Sequence, residues 1–528
     1  MAVVKPFAAV RPAPEKAKEV SALPYDVMNR EEAAEMAKDN RDSFLHVSRS
    51  EIDMDKETSP YDHQVYEKAR ENLMDMMSRG VMIKDPQPKY YIYRQIMDGR
   101  GQTGIVARAS IDDYLNNVIK KHEHTRPEKE IDRVNHFDVT NANTEPVFFT
   151  YRSKEQINEI IIEWTNKNDA EYDFVTEDDI RHQLWVVDRQ EVIKALEEQF
   201  EQVPSLYIAD GHHRTASAAR VGISRREMNP DYTGEEPFNY MMAVIFPDDE
   251  LLIMDYNRVV KDLNGYSKEE FLEKVKVNFD IREAPEKEPY KPDKVHRFGM
   301  YLEDKWYTLE ASDSVINEHD PIKKLDVSIL QEHLLKPILG IEDPRTDNRI
   351  DFVGGIRGLK ELELRVSKDM KVAFTMYPTP IEDLFAISDA GEVMPPKSTW
   401  FEPKLRSGLF VYLLDEESRM QRRDGSKDQD KERAKKGRDA VAHAEKDQKK
   451  AEQAKEEQKN KERGNSETED TKGDRPRAEK EHADRTYEEL PKEERGPADP
   501  GNIHNPMDQK NSSEPRSTEQ ERNKDRSR

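Results

Sequence analysis

The fold class predicted from the sequence is mixed α+β, and two observations lead to it. Strand-like and helix-like apolar patterns alternate along the chain up to about Leu414, which favours sheets packed with helices. After Phe410 the sequence contains neither Phe nor Trp, and charged residues, Gln, Ser and Pro dominate. The totals of 35% hydrophobic and 37% charged residues therefore combine a foldable part with a segment that has too little apolar surface for a core.

The first elements are predicted from the spacing of their apolar residues. Residues 30–38 and 65–78 place apolar side chains at helical intervals, whereas 44–47 is a short apolar run that predicts a strand. Residues 90–96 and 104–108 have strand composition, and the intervening Asp-Gly-Arg-Gly supplies a turn. These two strands are therefore expected to form a hairpin.

The middle of the chain continues the alternation. A strand at 183–187 precedes a helix at 190–200. The strand at 205–208 runs directly into Asp210-Gly211, and the alanine-rich composition of 214–220 predicts a helix after it. Further predicted elements are strands at 239–246, 251–254 and 372–375 and a helix at 327–335.

Three segments are expected along the chain. A soft boundary near Asn264-Gly265 divides the foldable part into residues 1–264 and a second, smaller α/β domain at 265–415. In the tail, 416–528, the first half from Lys427 to Arg463 has Lys and Glu spacings typical of a solvated single helix. Repeated prolines predict disorder in the second half. The tail is expected to solubilise or tether the protein, with docking to a protein partner as the alternative.

Composition excludes several classes of protein. With no Cys, the chain has no disulfides, thiolate metal sites or cysteine nucleophiles. No stretch approaches the roughly 20 apolar residues of a membrane span, so we expect a cytoplasmic protein without membrane contact. The formal net charge of -24 makes nucleic acid an unlikely partner.

One short segment concentrates functional side chains. A strand that ends in Asp-Gly and leads into a helix leaves the first helical amides without partners, and anions bind at such sites. Gly211 allows close backbone approach, and Arg214 and the two imidazoles add donors. The predicted phosphate site is Asp210, Gly211, His212, His213, Arg214 and Thr215. Two alternatives stay open: Asp210 as an ordinary helix cap, and a metal site that gathers these histidines with His122 and His124.

Two further elements are candidates for the same site. Lys397 could neutralise ligand charge, and Ser398 or Thr399 could hydrogen-bond the ligand from a proline-braced loop of the second domain. The alternative is a stiff connection with a surface lysine. Arg258 is a candidate phosphate ligand, although an arginine beside two valines can also pair across a sheet. Asp326 and His333 are predicted to be structural.

Residues 208–216 resemble the phosphate-binding element of the ParB and sulfiredoxin superfamily, in the form found in free-serine kinases. Four other segments are similar to the bacterial family called domain of unknown function ten-fifteen. They are residues 119–125, 146–151, 257–260 and 394–404, which together with the first segment span most of residues 1–415.

The resemblance implies a ParB/sulfiredoxin-like nucleotide-binding core and a kinase that phosphorylates the hydroxyl of free L-serine. ATP, or ADP, would be the donor with Mg²⁺, and Asp210 and His213 would belong to the catalytic element. A His-Glu pair in those kinases supplies the carboxylate that takes the substrate proton, and the matching residues here are His122 and Glu123. Phosphoryl transfer needs mainly positioning and charge stabilisation, so no Walker loop is required, and none is present.

Two functions are therefore predicted as alternatives. The first is a small-molecule kinase that acts on serine or a similar hydroxy amino acid. The second is a nucleotide-binding regulator without turnover, in which the same pocket acts as a switch for a protein partner.

Overall fold

Local sequence signals explain where some of the helices begin and which face they bury. Helix Arg30–Ala37 starts with a capping box. The Asn29 side chain accepts a hydrogen bond from the Glu32 backbone amide, and the Glu32 carboxylate accepts one from the Asn29 backbone amide. Ser267 and Glu270 form the same pair at helix Lys268–Val275. Gln190–Phe200 buries Ile193, Leu196 and Phe200, which lie three and four residues apart on one face.

A computed structural model describes residues 1–284 and 288–415. Within these residues the α-helices are α1 Ala17–Val20, α2 Arg30–Ala37, α3 Leu45–Ser48, α4 His63–Ser78, α5 Ile111–Leu115, α6 Pro127–Thr140, α7 Glu155–Lys167, α8 Gln190–Phe200, α9 His212–Met228, α10 Lys268–Val275, α11 Asp326–Leu330, α12 Lys360–Lys368 and α13 Ile381–Asp389. The strands are β1 Val4–Lys5, β2 Val10–Pro12, β3 Met82–Lys84, β4 Tyr90–Met97, β5 Arg100–Ser110, β6 Ile119–Lys120, β7 Ala142–Asn143, β8 Val147–Tyr151, β9 Tyr172–Val175, β10 Arg181–Val187, β11 Leu206–Asp210, β12 Tyr240–Pro247, β13 Leu252–Met254, β14 Tyr256–Val260, β15 Phe279–Glu283, β16 Arg297–Leu302, β17 Lys305–Ala311, β18 Ile350–Gly354, β19 Val372–Thr375, β20 Trp400–Glu402 and β21 Tyr412–Leu413.

The larger sheet is mixed and has nine strands. Its order is β6-β11-β8-β12-β5-β4-β10-β9, and β1 pairs with β5 beside this path. Strands β11 and β6, and β12 and β8, run parallel, while the other neighbours are antiparallel. Strands β8 and β12 are buried along their whole length, which explains their continuous apolar sequences.

The second sheet has six antiparallel strands in the order β15-β17-β16-β19-β14-β18. Strand β14 lies before the predicted boundary at 264–265 and pairs with β18 and β19, which lie after it. A short ladder between β13 and β20 joins the chain after β12 to the segment that follows the predicted Lys397–Thr399 loop. The described residues belong to one compact unit, and the division into 1–264 and 265–415 stays a prediction.

The structure confirms the mixed α+β fold and most predicted elements. The prediction of a strand at 44–47 is wrong. Leu45–Ser48 forms α3, which packs with α2 and α4 in a small core. A four-residue apolar run does not distinguish the two states. The predicted helix at 327–335 consists of α11 followed by a π-helical turn, Gln331–Leu335. The predicted tail helix and the predicted disorder after it lie outside the described residues.

Candidate active site

The turn between β11 and α9 sets the geometry of the predicted phosphate element. β11 ends at Asp210, and Gly211 follows with a φ of 91°, a left-handed conformation that glycine adopts without steric penalty. A Cβ at this position would lie 3.1 Å from Nε of Arg214. Within the described residues no side chain caps α9, and the Asp210 carboxylate accepts a 2.7 Å hydrogen bond from the Gly211 amide.

A polar cavity of about 550 Å³ opens beside this turn, and we call it the first cavity. Its walls come from the β6–α6 connection, the end of β11, the β18–α12 region and the segment before and after β20. The lining residues are Asp26, Val27, His122, Glu123, Asp210, Tyr256, residues 351–354, Arg357, Glu361, Arg365, Met394, Pro395, residues 397–400 and Lys404. The cavity thus brings together Glu123, Asp210 and the Lys397–Thr399 loop, which lie far apart in the sequence.

Asp210 is held in its charged form by two cations. Its Oδ2 lies 3.1 Å from Nζ of Lys404, and its Oδ1 lies 4.0 Å from Nη2 of Arg214. Burial alone would raise the pKa of Asp210, but the charges of Lys404 and Arg214 outweigh it and hold the pKa well below its usual range. Asp210 is therefore an anion at neutral pH and not a proton acceptor.

Glu123 lies in the wall of the first cavity next to two buried imidazoles. Its Oε2 is 3.6 Å from Nδ1 of His212, and its side chain keeps 46% of its surface exposed. Burial in the wall raises the pKa of Glu123, and the nearby Lys397 charge works against this rise. The carboxylate therefore combines access to the cavity with a proton affinity above that of an ordinary glutamate.

His122 and His212 pack against each other with ring centroids 4.5 Å apart and planes at 89°. Burial lowers the pKa of His122 to about 4 and that of His212 well below the usual value. Nδ1 of His122 and Nε2 of His212 are buried without hydrogen-bond partners in the described part of the chain. Both rings are consequently neutral at pH 7, so they do not supply positive charge.

Three residues of the predicted phosphate element lie behind the cavity wall. Nε2 of His213 accepts a 2.9 Å hydrogen bond from the Arg126 amide, and burial lowers the pKa of His213 to about 4. Arg214 is buried, and its Nη1 donates over 2.7 Å to the Pro146 carbonyl. Thr215 donates its hydroxyl hydrogen to the Gly211 carbonyl within the helix. The geometry gives these side chains internal partners, and of the predicted element only Asp210 lines the first cavity.

The Lys397–Thr399 loop forms the opposite wall. Lys397 has a φ of 61°, which is uncommon for a residue with a side chain, and its Nζ lies 5.4 Å from the centre of the Tyr256 ring. The Ser398 hydroxyl donates to the Pro395 carbonyl over 2.7 Å and is thus used within the loop. Lys397 and Thr399 are the members of the loop that can face a ligand.

Arg258 lies behind this loop and does not line the first cavity. Its Nη2 donates over 3.0 Å to the Lys397 carbonyl, and its Nη1 donates to the Tyr256 carbonyl. It lines instead a second cavity of about 840 Å³, which shares Phe352, Met394 and Pro395 with the first. The geometry makes Arg258 a support for the backbone of Lys397.

Sequence reasoning missed three cations of the first cavity, Lys404, Arg357 and Arg365, the last of which pairs with Asp351. Lys404 pairs with Asp210, and its Nζ also lies 4.6 Å from the Trp400 ring centre. Arg357 lies in an exposed turn after β18 and, like Lys397, makes no salt bridge with any described residue. The Gly-Gly-Ile-Arg-Gly sequence at 354–358 marks a tight turn, but nothing in it indicates proximity to Asp210.

The predicted metal alternative finds no support in the histidines. Among the described residues, no group of three or more His, Cys, Asp or Glu side chains is arranged to hold a metal ion. None of the helices in residues 1–284 and 288–415 combines the length and the apolar character needed to cross a membrane.

The chain belongs to the family described as protein of unknown function (DUF1015), whose profile matches residues 4–328. The family expected from residues 119–125, 146–151 and 257–260 is thereby confirmed. No curated protein matches the chain.

Several solved structures show a weak likeness. A free serine kinase in complex with AMP is 14% identical, with 58% of this chain and 92% of the other covered and a TM-score of 0.30. A mutant free serine kinase in complex with ADP is 15% identical, with the same coverage and a TM-score of 0.29. SbnI with C-terminal truncation from Staphylococcus aureus is 11% identical, with 60% and 93% covered and a TM-score of 0.32. Likenesses of this size decide neither the detailed fold nor the activity of the chain.

Proposed function

We propose that this protein is a small-molecule kinase that transfers a phosphoryl group from ATP or ADP to the hydroxyl of free L-serine or a similar hydroxy amino acid. The observation that carries the proposal is the meeting of Glu123, Asp210 and Lys397 around one cavity. Asp210 belongs to the segment that resembles the free-serine kinase element, and Glu123 matches the glutamate of the His-Glu pair in those kinases, whereas Lys397 lies in a segment similar to the DUF1015 family. The ParB/sulfiredoxin-like character of the larger sheet is part of the same proposal.

Glu123 is the proposed general base. It lines the first cavity, remains partly exposed and has a raised pKa, so it can approach a substrate hydroxyl and accept its proton. A carboxylate positioned in this way typically contributes about 10²- to 10⁴-fold to the rate. Asp210 is unsuited to the role because Lys404 and Arg214 stabilise its anion.

Lys397 and Arg357 are the proposed phosphate ligands. Neither pairs with a described carboxylate, whereas Lys404 is paired with Asp210 and Arg365 with Asp351. Cations without a salt-bridge partner can stabilise the negative charge that spreads over the oxygens of the transferred phosphoryl group. The hydrogen bond from Arg258 to the Lys397 carbonyl fixes the loop from which Lys397 extends.

Acidic residues of the first cavity fit Mg²⁺ bound to the nucleotide. Asp26 and Glu361 line the cavity, and Mg²⁺ typically takes one or two protein carboxylates together with phosphate oxygens and water. The lack of a cluster of three ligands among the described residues is compatible with this mode. When bound, Mg²⁺ would neutralise phosphate charge.

The deciding experiment incubates the full-length protein with L-serine, Mg²⁺ and either ATP or ADP, and identifies the product by mass. O-phosphoserine is the expected product, and Glu123→Gln is expected to lower its rate of formation at least 100-fold without loss of nucleotide binding. Glu128→Gln, at an exposed position in the first turn of α6, is the matched control. Unchanged serine with both nucleotides rejects the kinase. Tight nucleotide binding without turnover would support the regulatory alternative.

A further inference from the structure

The second cavity lies beside the first and has a different character. Its walls include Ile316, Val327, Leu335 and Phe352, whereas the first cavity is lined mainly by charged and polar side chains. Phe352, Met394 and Pro395 contribute to both cavities and form their common wall.

Two further features connect the cavities. Glu123 lines the first cavity, and the next residue, His124, lines the second. Arg258 lines the second cavity while its Nη2 holds the carbonyl of Lys397, whose side chain belongs to the first. A ligand that extends past the common wall would therefore contact the charged side chains of the first cavity at one end and the apolar side chains of the second cavity, such as Ile316 and Val327, at the other.

The second cavity also contains hydrogen-bonding groups without partners among the described residues. Ser328 and Gln331 line it, and the Ser328 hydroxyl and the Gln331 amide oxygen are buried without a partner among the described residues. Nε2 of Gln331 donates to the Ile341 carbonyl over 2.7 Å, which leaves the oxygen as the available acceptor. Gln331 also begins the π-helical turn, a feature that is frequent at functional sites.

These observations match the chemistry of an amino-substituted heteroaromatic base. Such a base has apolar faces that fit against Phe352 and Pro395, an amino group that donates to an amide oxygen, and a ring nitrogen that accepts from a hydroxyl. We infer that the second cavity binds the base of the nucleotide whose phosphates occupy the first cavity. This inference rests on the proposed function and specifies where its donor is recognised.

Calorimetric titration of the full-length protein tests the inference with three probes: ADP, inorganic tripolyphosphate, which has no base, and adenosine, which has no phosphate. ADP is expected to bind more tightly than either fragment. Gln331→Leu removes the amide, and Ser314→Trp adds bulk at an exposed position that lines only the second cavity. Each is expected to weaken ADP binding about tenfold, Gln331→Leu because one hydrogen bond is lost and Ser314→Trp because the indole takes up space that the base would occupy. Tripolyphosphate affinity should stay within twofold.

His319→Trp is the matched control, because His319 is exposed on the same segment but lines neither cavity. Thermal unfolding of each variant establishes that it is folded. Unchanged ADP affinity in folded Ser314→Trp and Gln331→Leu, or equal loss of ADP and tripolyphosphate binding, overturns the inference while the proposed kinase stands. Failure of both ADP and tripolyphosphate to bind the unaltered protein overturns the proposed function together with this inference.

Discussion

Nζ of Lys404 lies 3.1 Å from Oδ2 of Asp210, although 194 residues separate them in the sequence. The pair ties the end of β11 in the larger sheet to the segment after β20. Lys404 is itself held against the Trp400 ring, so the cation cannot turn away from Asp210 without losing a second contact. The contact therefore closes one side of the first cavity and fixes the charge of Asp210.

Replacement of Lys404 by Met tests this role. The substitution keeps an apolar chain against Trp400 but leaves the Asp210 carboxylate without its nearest cation, so we expect the free energy of unfolding to fall by about 1–3 kcal/mol at pH 7. Because the folded-state pKa of Asp210 is depressed, this advantage of the unaltered protein is present above pH about 4 and disappears as the pH falls through the lower folded-state value. Urea denaturation at several pH values measures it. An equal difference at all pH values contradicts the electrostatic explanation.

Gly211→Ala tests the turn before α9. The residue would need a left-handed backbone, and its Cβ would lie 3.1 Å from Nε of Arg214. Gly80→Ala is a matched control because Gly80 also has a positive φ, of 71°, but open space around the added Cβ. We expect Gly80→Ala to cost about 1 kcal/mol and Gly211→Ala clearly more, because only the latter also displaces Arg214. Equal losses of unfolding free energy in the two variants would show that the contact with Arg214 does not add to the cost of Gly211→Ala.

Parts of the site that depend only on residues close together in the sequence could be predicted from it. The strand, Gly211 turn and helix follow from apolar spacing and glycine conformation, and α9 begins two residues before the predicted helix. Burial of Arg214 and the internal bond of the Ser398 hydroxyl could not be predicted, because both depend on partners that the fold supplies. Family resemblance indicated Glu123, but nothing local to Arg357 indicates that it faces the cavity.

Arg357→Ala tests one of the cations that sequence reasoning missed. If its guanidinium binds a phosphate, the substitution should weaken ADP binding about tenfold and reduce the salt dependence of binding, since one charge contact is lost. Lys360→Ala is the control, because Lys360 is an exposed cation close in sequence that does not line the first cavity. Calorimetric titration at two salt concentrations gives both quantities. ADP affinity that responds equally to the two substitutions would assign Arg357 to general surface charge.

The pH dependence of turnover should reveal the coupling of Glu123 to Lys397. A general base must be ionised, so kcat/KM should fall as the pH drops through the raised pKa of Glu123. Lys397→Met removes a charge that lowers this pKa, and the acidic limb of the profile should therefore move to higher pH. Lys194→Met, at an exposed position on α8, is the control and should leave the limb in place. A lower rate in Lys397→Met without movement of the limb would limit Lys397 to ligand binding.

Asp326 gives a prediction that concerns stability alone. Burial raises the pKa of this carboxyl to about 7, although its Oδ1 accepts a 2.8 Å hydrogen bond from the His296 amide. Since the folded-state pKa lies above the unfolded value of about 4, ionisation destabilises the folded protein, and the free energy of unfolding should fall as the pH rises from about 4 to 7.

Asp326→Asn keeps an oxygen for the His296 amide but cannot ionise. We therefore expect this variant to be more stable than the unaltered protein at pH 8 by on the order of 2–4 kcal/mol, with more than half of this advantage lost at pH 5. Urea denaturation at the two pH values measures this, with the exposed Asp313→Asn as control. Equal destabilisation of Asp326→Asn at both pH values would show that hydrogen bonding, not charge, determines the contribution of this residue.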